Sequence, residues 1–296
     1  MSNLTLKTMK LLAIRYDMQG SDRREAGDAA GAIRLFEKAI QHAPKWSVPW
    51  YNLGLTYKYV GNWAESYRCN AMAVQLNPKD EAAIWNMGIA ATALQDWAEA
   101  RRAWRLYGIE APMGDGPIEM DLGSVPIRLN PDGAAEVVWA RRVDPARAFL
   151  TSIPLPESNH RHGDLVLNDG APVGYRIHNG REVPVLNELE LLTSSGLGTY
   201  EVTLQASNID DLVAFERVCE SSNCPTEDWS NIRMICRQCS EGRPHEHPEP
   251  AIEGPHRFAV AASARSWVEE IVATWIAEDR SRTAGEVLVL LQPMNH

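Results

Sequence analysis

One spacing runs through the first third of the chain and limits what that part can fold into. Glycines and prolines recur there every 34 residues, at Gly20, Gly54, Gly88, Pro44, Pro78 and Pro112. The tripeptide Trp-Ala-Glu at 63–65 returns at 97–99, again 34 residues later. A fixed period of this length is typical of stacked copies of one structural unit, so we expect a repeat array over about residues 12–112.

Each unit is expected to contain two helices. In the second unit Trp50, Leu53 and Tyr57 lie at helical spacing and form one apolar side. Gly54, at the eighth position of the unit, lets the paired helix approach closely. Pro78 ends the unit, because proline cannot continue a helix.

This pattern resembles the tetratricopeptide-repeat family. The residues that carry the resemblance are Gly27, Ala32, Phe36, Ala39 and Pro44 in the first unit, Trp50, Leu53, Gly54, Tyr57, Gly61, Ala64, Ala73 and Pro78 in the second, and Gly88, Ala98, Ala100 and Pro112 in the third. Arg23 and Asn70 depart from it, since each takes a position that is usually aromatic. The resemblance implies an α-solenoid whose concave face binds a partner segment.

The positions that would line this face are mostly aromatic and aliphatic, and they are Tyr51, Leu55, Lys58, Tyr59, Trp85, Ile89 and Thr92. They lack the Lys/Arg lining with which some members of the family hold a terminal carboxylate. We therefore expect a protein or peptide partner. The alternative is that other segments of the same chain cover these side chains.

Charge argues against nucleic acid as a partner. Residues 1–112 carry 14 Lys and Arg against 11 Asp and Glu, whereas residues 113–296 carry 15 against 28 and contain no lysine. Phosphate binding depends on clustered cations, which the second part does not provide. No run of about 18 apolar residues predicts a membrane helix, and the N-terminus has no signal-peptide pattern, so we expect a cytoplasmic protein.

The remaining residues predict two further domains after a Gly/Pro-rich linker at 113–123. Short strand-like runs with Asn-Gly and Asp-Gly turns predict a small β-barrel or sandwich at 124–195. Residues 196–296 read as a βαβ unit followed by a second βαβ unit, with strands at 230–236 and 284–292 among them. That order predicts a ferredoxin-like α/β sandwich, which makes the whole chain a multidomain α + β protein.

Four cysteines in this last domain have the spacing C-x4-C-x11-C-x2-C, and they are Cys219, Cys224, Cys236 and Cys239. Two short-spaced pairs suit tetrahedral Zn²⁺, with His245 and His247 as reserve ligands, so we expect a structural zinc site. Disulfides, inert buried thiols and a catalytic zinc with an open position remain alternatives. A thioredoxin-like redox role is disfavoured, because Cys236 and Cys239 lead into a Gly/Pro-rich loop rather than a helix.

His160, His162 and Asp164 form a second polar group, in a loop of the predicted β domain. They could bind a metal or transfer protons, or they could be ordinary loop residues. The preferred function is an interaction or scaffold protein. The alternative is a metal-assisted hydrolase or protein-modifying enzyme whose repeats recruit the substrate.

Overall fold

The computed structural model describes residues 3–178, 180–230 and 255–294. The chain divides into two compact units. One contains Met1–Met120 with Asp144–Ala146, and the other contains Asp121–Val143 with Arg147–His296.

The first unit contains helices α1 to α6. They are α1 (Asn3–Glu25), α2 (Ala29–His42), α3 (Ser47–Tyr59), α4 (Trp63–Leu76), α5 (Glu81–Ala93) and α6 (Trp97–Tyr107). Asp28, Asn62, Asp80 and Asp96 start four of these helices, because each side chain accepts a hydrogen bond from the backbone N–H three residues later. The predicted helix pairs are therefore present, one pair in each 34-residue unit.

The periodic small residues allow the paired helices to touch. A Cβ atom on Gly88 would lie 2.6 Å from the buried Trp104 ring, and one on Gly54 would lie 2.5 Å from the Asn70 amide. Ser66 Oγ also donates to the Gly54 carbonyl at 2.9 Å. Asn70, which replaces an aromatic residue of the family pattern, is thus accommodated against a glycine.

The segment predicted as a linker at 113–123 belongs in large part to the helical unit. Arg101 of α6 donates from Nε to the Pro112 carbonyl at 2.8 Å and from Nη2 to the Pro117 carbonyl at 3.5 Å. Ile118 is fully buried. The predicted boundary at residue 112 was therefore too early, because backbone acceptors beyond the last helix satisfy the buried Arg101.

The second unit begins with a closed barrel of β1 (Ser124–Leu129), β2 (Glu136–Arg142), β3 (Arg147–Leu150), β4 (Leu165–His178) and β5 (Arg181–Thr193). Neighbouring strands are antiparallel, and β1 closes the barrel by pairing parallel to β5 at Ile127–Leu186. Alternating apolar residues of these strands fill the interior. The barrel form of the predicted β domain is the one observed.

A second sheet follows, built from β6 (Gly198–Gln205), α7 (Ile209–Ser221), β7 (Thr226–Asp228), β8 (Pro255–Ala262), α8 (Arg265–Glu278), β9 (Thr283–Ala284) and β10 (Leu288–Leu291). The strand order is β10-β6-β8-β7 and each pairing is antiparallel. The element order βαβ–βαβ is as predicted. The strand predicted at 230–236 lies almost entirely outside the described residues, and the structure places β7 earlier, at Thr226–Asp228.

The two faces of this sheet pack against different elements. Tyr200, Val202 and Phe258 point towards α7 and α8 and belong to the largest apolar cluster. Ala259 and Ala261, on the opposite face, pack with Ile153 from the segment that follows β3. Alternation along each strand therefore buries both faces of the sheet.

Candidate functional site

The residues predicted to line the concave face lie on α3 and α5, but they differ in exposure. Tyr59 is 57% exposed, whereas Lys58 is 3% exposed and Ile89 is completely buried. Tyr51, Leu55 and Trp85 are half-buried, and Thr92 is buried. The continuous open surface expected from the repeat register was therefore wrong for Lys58, Ile89 and Thr92, because a buried side chain does not offer itself to a partner.

Lys58 has a structural role in the array. Its Nζ donates to Asn86 Oδ1 at 3.1 Å and lies 4.5 Å from the centre of the Tyr59 ring. A buried ammonium group is costly unless it is hydrogen-bonded, and the amide and ring provide that compensation. The result is a polar connection between α3 and α5.

A matching connection joins α1 to α3. Asn52 Nδ2 donates to Asp17 Oδ1 at 3.0 Å, and Arg24 donates to Asn52 Oδ1 at 3.3 Å. Burial raises the pKa of the Asp17 carboxyl, against the opposing effects of Asn52 and Arg24. Sequence reasoning missed this polar row, although Asn52 and Asn86 lie 34 residues apart, on the same period as the glycines.

Trp85 packs within the helical unit. Its ring meets Trp104 edge-on, with centroids 5.1 Å apart, and Tyr107 in the same way at 4.7 Å. Both neighbours belong to α6. Trp85 is therefore a packing residue in large part, and the exposed aromatic of the predicted set is Tyr59.

Two of the four predicted zinc ligands are described. Cys224 N–H donates to the Cys219 carbonyl at 2.9 Å, so the residues are close together after the end of α7. Both thiols are buried in the apolar cluster, and burial raises the pKa of Cys219 to about 12 and also raises that of Cys224. Without a bound cation these side chains are neutral and apolar.

The other predicted ligands, Cys236, Cys239, His245 and His247, lie outside the described residues. Within residues 3–178, 180–230 and 255–294, no group of three or more His, Cys, Asp or Glu side chains is placed to hold a metal ion. The described pair would supply two sulfur donors, which fits half of a tetrahedral Cys₄ set.

The polar loop of the barrel does not form one site. His160 Nε2 lies 2.6 Å from Glu188 Oε1, and its Nδ1 lies 2.8 Å from the Ser158 carbonyl. Burial lowers the pKa of His160, but Glu188 and the Ser158 carbonyl more than offset this and hold it above its ordinary value. Both ring nitrogens are thus engaged in holding the loop.

The other two residues of that loop have different partners. Burial lowers the pKa of His162, against the opposing effect of the Thr151 and Ser152 backbone. Asp164 accepts from Ser194 Oγ at 3.0 Å and from the Ser195 N–H at 2.8 Å. These contacts are those of a stabilised loop, which was the simpler of the two interpretations.

Two carboxyls that sequence reasoning did not single out hold the segment after β3. Glu136 of β2 accepts from the Leu155 N–H at 3.0 Å, and Glu227 of β7 accepts from the Ile153 N–H at 2.8 Å. Burial raises the pKa of both carboxyls, that of Glu136 to about 7. No local motif marks them, because their shared segment joins strands far apart in the chain.

Comparison with known proteins finds similarity in about a third of the chain. No family model and no curated protein matches it. The second TPR domain of Spaghetti (RPAP3), solved with an HSP90 peptide SRMEEVD, is 19% identical over 34% of this chain and 94% of that chain, with a TM-score of 0.33. The TPR2B domain of yeast Sti1, solved in a complex with pHsp70, is 16% identical over 33% and 78%, with a TM-score of 0.32. MamA is 21% identical over 32% and 56%, with a TM-score of 0.31.

The repeat period and the helix pairs define the class of the first unit. Helices α1 to α6 form a tetratricopeptide-repeat array, as the sequence predicted. No helix of the part of the chain that the structure describes could span a membrane.

Proposed function

We propose that the helical array binds an extended segment of a partner protein along the α3 face, defined as Tyr51, Leu55 and Tyr59. The observation that carries this proposal is the 57% exposure of Tyr59 beside half-buried Tyr51 and Leu55. Residues four apart on a helix lie on one side, so these three form a single strip. Exposed aromatic residues of this kind are frequent anchors in protein interfaces.

The polar row beneath the strip supports the same function. Lys58 and Asn86 fix α3 against α5, and Asp17 and Asn52 fix α1 against α3. A rigid strip loses less conformational entropy on binding than a mobile one. The strip is apolar and aromatic, so the partner segment should contribute apolar side chains and at least one hydrogen-bond acceptor for a tyrosine hydroxyl.

Selection from a random peptide library displayed on phage tests this function with the full chain as bait. Selected peptides should bind the wild type and lose at least about tenfold in affinity with Tyr59→Ala, since truncation of an anchor costs more than about 1 kcal/mol. Leu106→Ala is the matched control, because Leu106 is 51% exposed on α6 and lies outside the α3 face. Equal loss with both variants, or enrichment of no peptide, would contradict the proposal.

The same proposal includes a structural zinc ion held by Cys219, Cys224, Cys236 and Cys239 in the reducing cytoplasm. Its support is the adjacency of Cys219 and Cys224 just before β7, the strand that precedes the other two cysteines. Zinc binds thiolates, so binding must displace protons from the two high-pKa thiols and should weaken as pH falls. A filled closed site would stabilise the domain that carries it.

Elemental analysis of the purified full chain should find about one zinc per chain. Cys236→Ser should lose the metal, whereas Cys69→Ser should retain it, because Cys69 packs inside the helical array. A fully folded wild type without metal, or retention of zinc by Cys236→Ser, would remove the zinc from the proposal. Among the described residues no observation favours the enzyme alternative, since His160, His162 and Asp164 are engaged with different partners.

A further inference from the structure

The hairpin formed by β4 and β5 is much longer than the barrel needs. These strands have 14 and 13 residues, against 6, 7 and 4 in β1, β2 and β3. β4 pairs with β3 only through Leu165–Leu167, and β5 pairs with β1 only at Leu186 and Asn187. Beyond those positions the hairpin is a two-stranded ribbon, and in the part of the chain that the structure describes no third strand pairs with its edges.

One face of this ribbon is apolar and open to solvent. Val173, Tyr175 and Ile177 are 40%, 47% and 54% exposed. They alternate along β4 and therefore share a face. An exposed apolar ribbon with unpaired edges is marginal by itself and is a template for pairing with another strand.

The edges of β4 and β5 differ in their ability to pair. Pro184 of β5 lies opposite Tyr175 and has no N–H to donate. A pair that contains proline cannot exchange two hydrogen bonds, so the pair Tyr175–Pro184 suits the non-hydrogen-bonded position of the antiparallel ladder. In that position the backbone N–H and C=O of Tyr175 point away from β5, towards the outer edge of β4.

We propose that the outer edge of β4 is a homodimer interface, at which a second copy of this chain adds its own β4 antiparallel across a two-fold axis at Tyr175. The sequence Val-Gly-Tyr-Arg-Ile at 173–177 is self-complementary about that axis. Ile177 faces Val173 of the partner subunit, and Tyr175 faces Tyr175 of the partner subunit. Arg176 faces Gly174 of the partner subunit, so no two like charges oppose each other.

Symmetry favours a second copy over an unrelated partner. A two-fold interface uses the same patch on both subunits, which requires an apolar pattern that reads alike in both directions. The pattern apolar-x-aromatic-x-apolar meets that requirement, and outward backbone groups two residues apart then pair in register. The contact is much smaller than the ~20–30 residues per side of a standard interface, so we expect a dissociation constant of roughly 1–100 µM.

Sedimentation equilibrium of the full chain from about 1 to 200 µM tests the proposal. The wild type should show a monomer–dimer equilibrium, and Tyr175→Glu and Tyr175→Lys should each weaken it at least about tenfold, because each places like charges opposite each other. An equimolar mixture of the two variants should recover the dimer. This recovery is specific to a residue that faces its own copy, and a general loss of folding would not produce it.

The control is Val213→Glu, which places a charge at a 55% exposed position on α7 and should leave the dimer unchanged. Tyr175→Cys should in addition form an intermolecular disulfide on mild oxidation, above the background of the wild type. A wild type that is monomeric at about 200 µM, a Tyr175→Glu variant that associates as the wild type does, or failure of the mixture to recover association would overturn the proposal. Because peptide binding by the α3 face does not depend on this association, the two proposals can fail separately.

Discussion

Replacement of Glu136 by glutamine should change how the stability of the β-rich unit depends on pH. Glu136 accepts a backbone hydrogen bond from Leu155, and burial is the main cause that raises its pKa to about 7 from 4.5. The neighbouring carboxyls of Glu227 and Glu157 raise it further, whereas the Leu155 N–H and His160 act in the opposite direction.

The sign follows from proton binding in the two states. Between pH 4.5 and about 7 the folded unit binds more protons at Glu136 than the unfolded chain, so its stability falls as pH rises through this window. The contribution is fully present below pH 4.5 and is lost above about pH 7. A shift of this size corresponds to about 3 kcal/mol, and solvent screening of a partly buried carboxyl reduces it to roughly 2 kcal/mol.

Glutamine keeps the shape and the hydrogen-bond acceptor but cannot ionise. Glu136→Gln should therefore be about 2 kcal/mol more stable than the wild type at about pH 8 and similar to it at about pH 5. Urea titrations at both pH values measure this difference, with hydrogen-exchange mass spectrometry of β2 peptides used to follow the barrel separately from the helices. Asp132→Asn, at an exposed turn of the same barrel, controls for the loss of one charge. A stability difference that is the same at both pH values would refute the reasoning.

Two further predictions concern packing. Gly88→Ala should destabilise the helical array by about 1–3 kcal/mol in urea titrations, because its Cβ would meet the buried Trp104 ring at 2.6 Å, whereas Gly116→Ala, with nothing within 4 Å, should have little effect. Arg282→Met should lower the stability of the second sheet by about 2–4 kcal/mol, because it leaves the buried Asp211 carboxylate without the guanidinium 2.8 Å away. A loss below about 0.5 kcal/mol would show that water replaces the ion pair.

Local patterns predicted most of the secondary structure correctly. The spacing of Gly54 and Gly88 predicted close helix pairs, because only a residue without a side chain fits against Asn70 and Trp104. Alternating residues predicted the barrel and the βαβ–βαβ order, since period-2 and period-3.6 patterns are fixed by the backbone of strands and helices. The cysteine spacing predicted a pair at the end of α7, and the outcome for Cys236 and Cys239 lies outside the described residues.

The sequence by itself determined the repeat period, the helix starts and the order of strands, because these depend on neighbours within a few tens of residues. Only the tertiary structure decided which side chains remain available. Lys58 and Ile89 share the register of Tyr59, yet they are buried whereas Tyr59 is exposed. Glu136 and Glu227 are separated by 91 positions and hold residues two apart, Leu155 and Ile153. Burial and pKa depend on the whole set of atoms around a group, and most of those atoms come from distant parts of the chain.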